Sequence, residues 1–320
     1  MRKRIRVNQL RIGMYVEDVE RHGRQQTEFR PFLISTPGQV RELLTSHVRS
    51  VVIDVFKGAD THGGDEAEQP RRHAAFEASL RAAFSPSEIS QARQCVDETK
   101  PHIRLVLSDA RIKASFSSDA ASAAVERIMA TALDNAGAVV AVARLKERDE
   151  MTFLHSLAVS ALMISFGRVL GHHEEKIRLL GIGGLVHDLG KMTLPDAILM
   201  KPGKLTNQEM ELVRSHPQRG YDMLARSGQA SKPVLDICRF HHERYDGAGY
   251  PGRIAGRQIP YVARLAAICD VYEALTTIRA YKRAFSQAEA VNIMMNSPGQ
   301  FDGELLSTFI STMIISGTLR

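Results

Sequence analysis

Cysteine is scarce in this chain. Cys95, Cys238 and Cys269 are three scattered thiols in 320 residues, with no Cys-x-x-Cys pair. That excludes a disulfide framework and a structural zinc site of the usual kind, and it points to a reducing compartment, the cytoplasm. Long hydrophobic runs are scarce too. The longest helical apolar segments, such as 136–143, fall short of the roughly 20 residues that cross a bilayer. The opening Met1-Arg2-Lys3-Arg4-Ile5-Arg6 is basic but lacks the apolar stretch of a signal peptide. No run of five basic residues occurs, so the net charge of +6 does not by itself indicate a nucleic-acid polymer as partner. A small phosphate ligand needs only a local cluster. Internal repeats are absent as well.

The rest is ordinary globular composition, 44% apolar and 24% charged. Residues 1–57 read as a small α/β domain. Short strands are expected at Ile5-Arg6-Val7, Tyr15 to Val19 and Val51 to Val55, with a helix near Gln39 to Leu44. Residues 58–72 hold Gly58, Gly63, Gly64 and Pro70 with almost nothing apolar and read as a linker. Residues 73–143 read as a helical connector. Ser85-Pro86-Ser87-Glu88 supplies an N-cap, a proline at the first helical position and a Glu at N3. From 144 to 320 apolar residues recur at helical intervals, and only the Gly- and Pro-rich stretch 246–260 must be loop.

Seven of the twelve histidines lie between residues 155 and 242. His187-Asp188 is followed by Leu189-Gly190-Lys191. Further on, His241-His242-Glu243-Arg244-Tyr245-Asp246 runs into Gly247-Ala248-Gly249-Tyr250-Pro251. Neighbouring residues on a helix point about 100° apart, so His187 and Asp188 can touch different parts of one cluster, with partners from other helices. Neutral imidazoles plus carboxylates suit a first-row transition ion. A lone histidine is more often a core or surface residue. That reading is given to His22, His47, His62, His73, His102, His172 and His173.

In this order the motifs resemble the HD-GYP family of cyclic di-GMP phosphodiesterases, in the HD phosphohydrolase superfamily, over about residues 144–310. Residues 10–16, 31–32 and 52–54 are similar to the small N-terminal domain found ahead of some members. The resemblance implies a mainly α chain, an all-helical HD-type metal-binding bundle behind a small α/β domain. It implies that His155, His187, Asp188 and Asp270 hold one divalent ion and Asp188, His216, His241 and His242 a second, with Asp188 bridging. A hydroxide held between the ions would be the nucleophile. Iron or manganese is expected for an N/O donor set without thiolate. Some relatives bind a third ion through a Glu one turn before the first histidine; here that position is Met151, with Glu150 beside it, so two ions are expected.

The resemblance also implies that Lys191, a catalytic residue with Asp188, contacts the scissile phosphate. Arg279 and Lys282 would grip phosphates, and Tyr250 would stack on substrate or pack. The family usually has Pro where Ala280 stands. The expected reaction opens cyclic di-GMP to pGpG and, on continuation, to GMP. The Gly-Tyr-Pro loop is the expected contact for diguanylate cyclase domains. The N-terminal domain is open between a sensor, a docking module and a homodimer contact. Two rival readings are a low-turnover cyclic di-GMP receptor or adapter acting through the loop, and an HD phosphohydrolase for another nucleotide.

Overall fold

The computed structural model describes residues 2–21, 29–46, 48–54, 58, 77–144, 151–199, 201, 204–277, 284–315 and 317–319; residues 2, 21, 133, 134 and 151 are described by backbone alone. The chain divides into two compact units. One comprises Met1–Arg72, Met200–Thr206 and Arg279–Arg283, and the other the remainder.

The first unit is a four-stranded antiparallel sheet of order β1-β4-β2-β3, with β1 Arg2–Arg6, β2 Tyr15–Arg21, β3 Phe32–Leu33 and β4 Val48–Asp54. Strand alternation sends Val51 and Ile53 inward, and a register shift opposite Glu20 and Arg21 brings Val48 to the same core, against Ile5, Met14, Val16 and Ile34. Helix α1, Pro37–Thr45, covers this core with Leu43. Thr36 caps it reciprocally with Gln39, and Pro37 fixes its first turn. The first expected strand ends at Arg6, because Val7–Gln9 turns into a 3-10 segment.

The second unit is helical, and no strand occurs among its described residues. A short helical segment at 77–83 precedes α2 (Pro86–Lys113), which is capped by Ser85 and Glu88 as its sequence predicts. Next come α3 (Ser118–Ala143), α4 (Met151–Val169) and α5 (Glu174–Val186). Alanines 120, 121, 124, 132 and 136 make a buried small-residue face on α3, which breaks helical geometry at Asn135 (φ −156°, ψ 52°). The segment Thr152–Val169 is apolar enough over 18 residues to pass for a membrane span, a match not foreseen above. It is 78% buried in this unit, as a core helix is. After a 3-10 turn at Leu189–Thr193 come α6 (Asn207–Arg214), α7 (His216–Ser227), α8 (Lys232–Phe240), α9 (Tyr261–Thr276), α10 (Gln287–Met295) and α11 (Gly303–Phe309). Asp302 caps α11 through Glu304 N and Leu305 N and pairs with Arg264 of α9.

Small residues set how closely these helices approach. A methyl on Gly184 of α5 would lie 3.0 Å from Ser160 Cα of α4. On Gly190 it would lie 1.9 Å from the His216 carbonyl oxygen. Backbone therefore packs on backbone where the histidine-bearing segments meet. Gly190→Ala is expected to cost at least about 2 kcal/mol, since backbone cannot yield as a side-chain tip can. That corresponds to a fall in melting temperature of roughly 4–8 °C. Gly303→Ala, whose methyl would meet nothing within 4 Å, is the control. Equal melting temperatures for the two variants would contradict this packing.

Candidate metal centre

Helix ends aim most of the cluster. His155 lies one turn into α4, and His187 ends α5. Asp188 follows at φ −95°, ψ 8°, outside helical geometry. The His-Asp pair therefore sits at a helix end, and not within a helix as its spacing suggested. The break at Asp188 turns the carboxylate back under the His187 ring. His216 opens α7, where Pro217 suits the first turn. His241 terminates α8 with His242 next to it, and Asp270 projects from the middle of α9.

The Nε2 atoms converge. His155 Nε2 is 3.2 Å from His187 Nε2, and His216 Nε2 is 3.4 Å from His241 Nε2. The two oxygens of Asp188 face different partners. Oδ2 lies 3.5 Å from His155 Nε2 and 3.4 Å from His187 Nε2. Oδ1 lies 3.1 Å from His216 Nε2 and 3.7 Å from His241 Nε2. Asp270 Oδ1 approaches His155 Nε2 at 3.3 Å and His187 Nε2 at 3.8 Å. Ligand atoms of Asp188, His216, His241 and His242 lie within 4.8 Å of one another, and those of His155, His187 and Asp188 form a second such group. His187, His241 and Asp270 form a third, so the seven expected ligands share one cluster.

The opposite ring nitrogens explain why the Nε2 atoms are available. His187 Nδ1 donates to the Gly184 carbonyl (2.7 Å), His216 Nδ1 to the Val213 carbonyl (2.7 Å) and His241 Nδ1 to the Cys238 carbonyl (3.0 Å). A carbonyl can only accept, so each neutral ring carries its proton on Nδ1 and turns a bare Nε2 lone pair to the centre. His155 Nδ1 bonds Glu273 Oε2 at 2.6 Å, and Glu273 Oε1 accepts from Thr277 Oγ1 at 2.6 Å. The His216 and His241 lone pairs facing each other at 3.4 Å, beside a buried Asp188 Oδ1 that accepts no hydrogen bond, are what a cation would satisfy. The donor set fits a metal site.

Electrostatics agree. Burial opposes ionisation of Asp188, yet the Lys191 ammonium at 2.6 Å and the neighbouring imidazoles hold it well below the usual carboxylate range. Asp270 is also held low against burial, by His155 and His187. Burial depresses the imidazolium forms of His241 and His242, the latter to about 3. Burial disfavours the charged form of His155 too, but Glu273, Asp188 and Asp270 raise it well above its ordinary value. A cation bound at the cluster would therefore compete with protonation of His155. Burial raises the Cys238 and Cys269 thiols, and neither belongs to the clustered ligand groups.

The loop after His242 is braced from within. Glu243 is buried and accepts from Gly252 N at 2.6 Å. Asp246 takes two hydrogen bonds from Arg244 and one from Ala248 N. The Tyr250 ring lies 4.8 Å from His242 and against Arg214. Lys191 sits on Asp188 at the rim, 30% exposed. Arg279 and Lys282 lie outside the described residues, as do Glu150 and the Met151 side chain. Of the histidines set aside, His172 is half-buried and bonds the Tyr261 hydroxyl (3.0 Å), and His173 is the exposed N-cap of α5. Glu273 went unassigned in the sequence. Its signal was a carboxylate three residues after Asp270 on an otherwise apolar helix.

Residues 127–305 match the HD domain family, and residues 2–121 match a domain of unknown function, DUF3391. The chain is 38% identical over 326 residues to the cyclic di-GMP phosphodiesterase PA4108 of Pseudomonas aeruginosa, covering 98% of this chain and 77% of that protein. It is 36% identical over 189 residues to 3'3'-cGAMP-specific phosphodiesterase 1 of Vibrio cholerae, covering 58% of this chain and 42% of that protein. Its fold is similar to that of Bd1817, an HDG"Y"P protein from Bdellovibrio bacteriovorus, with a TM-score of 0.58 and 17% identity, covering 98% and 99% of the two chains.

Glu273→Gln removes the charge that orients His155 and leaves its shape. It is expected to weaken metal uptake about 10- to 100-fold, the usual cost of losing a ligand's supporting carboxylate. Titration of Mn(II) into the ion-free protein measures this. Unchanged affinity would remove Glu273 from the site.

Proposed function

The chain belongs to the HD-domain family, in its HD-GYP branch of cyclic di-GMP phosphodiesterases, and from that premise we propose a division of labour at its buried cluster. The enzyme hydrolyses cyclic di-GMP. His155, His187, Asp188 and Asp270 hold one divalent ion; Asp188, His216, His241 and His242 hold the other. The observation carrying this reading is Asp188, whose two oxygens face two separate histidine pairs. An all-N/O set with no thiolate supports iron or manganese. When bound, such ions make hydroxide available near neutral pH and polarise the phosphodiester.

The chain's own groups do the remainder. Asp188 joins the two half-sites. Lys191, at the rim with its ammonium toward the cluster, offsets charge on the phosphate as the ring opens. Tyr250 shapes the edge beside His242. Arg279 and Lys282 complete the phosphate contacts by resemblance. The products are pGpG and, after a second cleavage, GMP. The same reading divides the chain into 1–57, the linker 58–72, the connector 73–143 and the catalytic domain 144–320. It places the protein in the cytoplasm, in keeping with three free, buried cysteines, and makes the Gly-Tyr-Pro loop the docking point for diguanylate cyclase domains.

A second reading, hydrolysis of a mixed guanine–adenine cyclic dinucleotide, is favoured by the likeness to the Vibrio enzyme over the catalytic half. Chromatography of cyclic di-GMP incubated with the protein and Mn(II), or anaerobic Fe(II), tests the first reading. Linear pGpG or GMP is expected from the wild type and none above background from Asp188→Ala. Intact substrate with the ion-loaded wild type would overturn it.

A further inference from the structure

A groove of about 590 Å³ runs beside the metal cluster, between the C-terminal end of α6 and the loop 247–253. That volume accommodates one nucleoside half of a cyclic dinucleotide. Tyr250 belongs to both places. Its ring lies 4.8 Å from His242 on one contact and 5.7 Å from the Arg214 guanidinium carbon on another. Tyr250 is thus a wall shared by the cluster and the groove.

Three charged side chains line it: Glu211 and Arg214 of α6, and Arg253 of the loop. Glu211 and Arg214 are three residues apart and share a helix face. All three are exposed; among the described residues neither Glu211 nor Arg253 makes an ion pair or side-chain hydrogen bond, and Arg214 lies over the Tyr250 ring without either. Glu211 and Arg214 do not pair with each other. Ser215, the remaining polar side chain of that wall, is committed: its hydroxyl donates to the Leu212 carbonyl (2.6 Å) and accepts from Arg219 Nε (2.8 Å). Arg253 holds a left-handed backbone, φ 52°, which is uncommon for a residue with a side chain. Such strain persists where surrounding structure enforces it, and here Glu243 clamps the neighbouring Gly252 N.

Resting on the cyclic-dinucleotide reading above, we propose that this groove is a guanine pocket that sets base selectivity. Guanine offers two adjacent donors, N1–H and the 2-amino group, which match the acceptor-only carboxylate of Glu211. On its other edge O6 and N7 accept together from a guanidinium, which Arg214 or Arg253 supplies. Adenine inverts the pattern. Its N1 is a bare lone pair, its 6-position is a donor, and it has no 2-amino group. Against Glu211 and the arginines those groups stay unpaired, and unpaired polar groups are what reject a near-isosteric base. Residues 247–249, Gly-Ala-Gly, keep the facing wall low enough for a flat ring.

The test compares equilibrium binding of cyclic di-GMP and of 3'3'-cGAMP, together with kcat/KM wherever turnover occurs. It uses the full chain as wild type and as Glu211→Gln, Arg214→Gln and Arg253→Gly. The wild type is expected to favour cyclic di-GMP by about tenfold to a hundredfold. Each variant should shrink that ratio toward one by weakening cyclic di-GMP selectively. Arg253→Gly relieves the left-handed backbone while removing the guanidinium, so its loss of selectivity should come with an unchanged or raised melting temperature. An unchanged ratio, or equal losses for both dinucleotides, would overturn the guanine pocket. Selective binding without hydrolysis of either dinucleotide would support the pocket and overturn the phosphodiesterase reading. Hydrolysis without selectivity would do the reverse.

Discussion

A single buried carboxylate organises this molecule. Asp188 is ionised where burial opposes it, and each of its oxygens looks at a different pair of imidazole nitrogens. Burying such a charge is costly unless it is paired. The compensation the chain itself supplies is local: the Lys191 ammonium lies on Oδ2. Oδ1 has none, and that imbalance makes the site a receptor for cations.

The scaffold serves that carboxylate through helix ends. His187, His216 and His241 each stand at a helix terminus, where a backbone carbonyl is free to accept from Nδ1 and fix the ring. Packing of backbone on backbone at Gly184 and Gly190 brings α4, α5, the 3-10 turn and α7 within reach of one another. Fold and chemistry are therefore the same constraint at these positions. A methyl group that separates two segments also separates two ligands.

Much of the centre was legible because its residues are chemically unusual where they stand. Histidines at helix boundaries and a His-Asp pair before a glycine have few structural uses, so their order along the chain pointed to the chemistry. The capped start of α2 at Ser85 was equally plain, since capping is local. What depended on packing was not legible. Glu273 is one more carboxylate until α9 lies against α4 and its Oε2 meets His155. The helix break at Asp188 and the non-helical Asn135 were not read from the sequence either. The apolar segment of α4 became a core helix only once other helices surrounded it. Arg253 is far in sequence from Glu211 and Arg214, and these exposed charges read as an ordinary solvated face until the fold sets them on two walls of one groove.

Anomalous diffraction from Mn(II)-loaded crystals tests the bridging role of Asp188 most directly. Two peaks flanking its carboxylate are expected, one toward His155 and His187 and the other toward His216, His241 and His242. A single peak held by one histidine set, with Asp188 contacting it through one oxygen, would contradict that role.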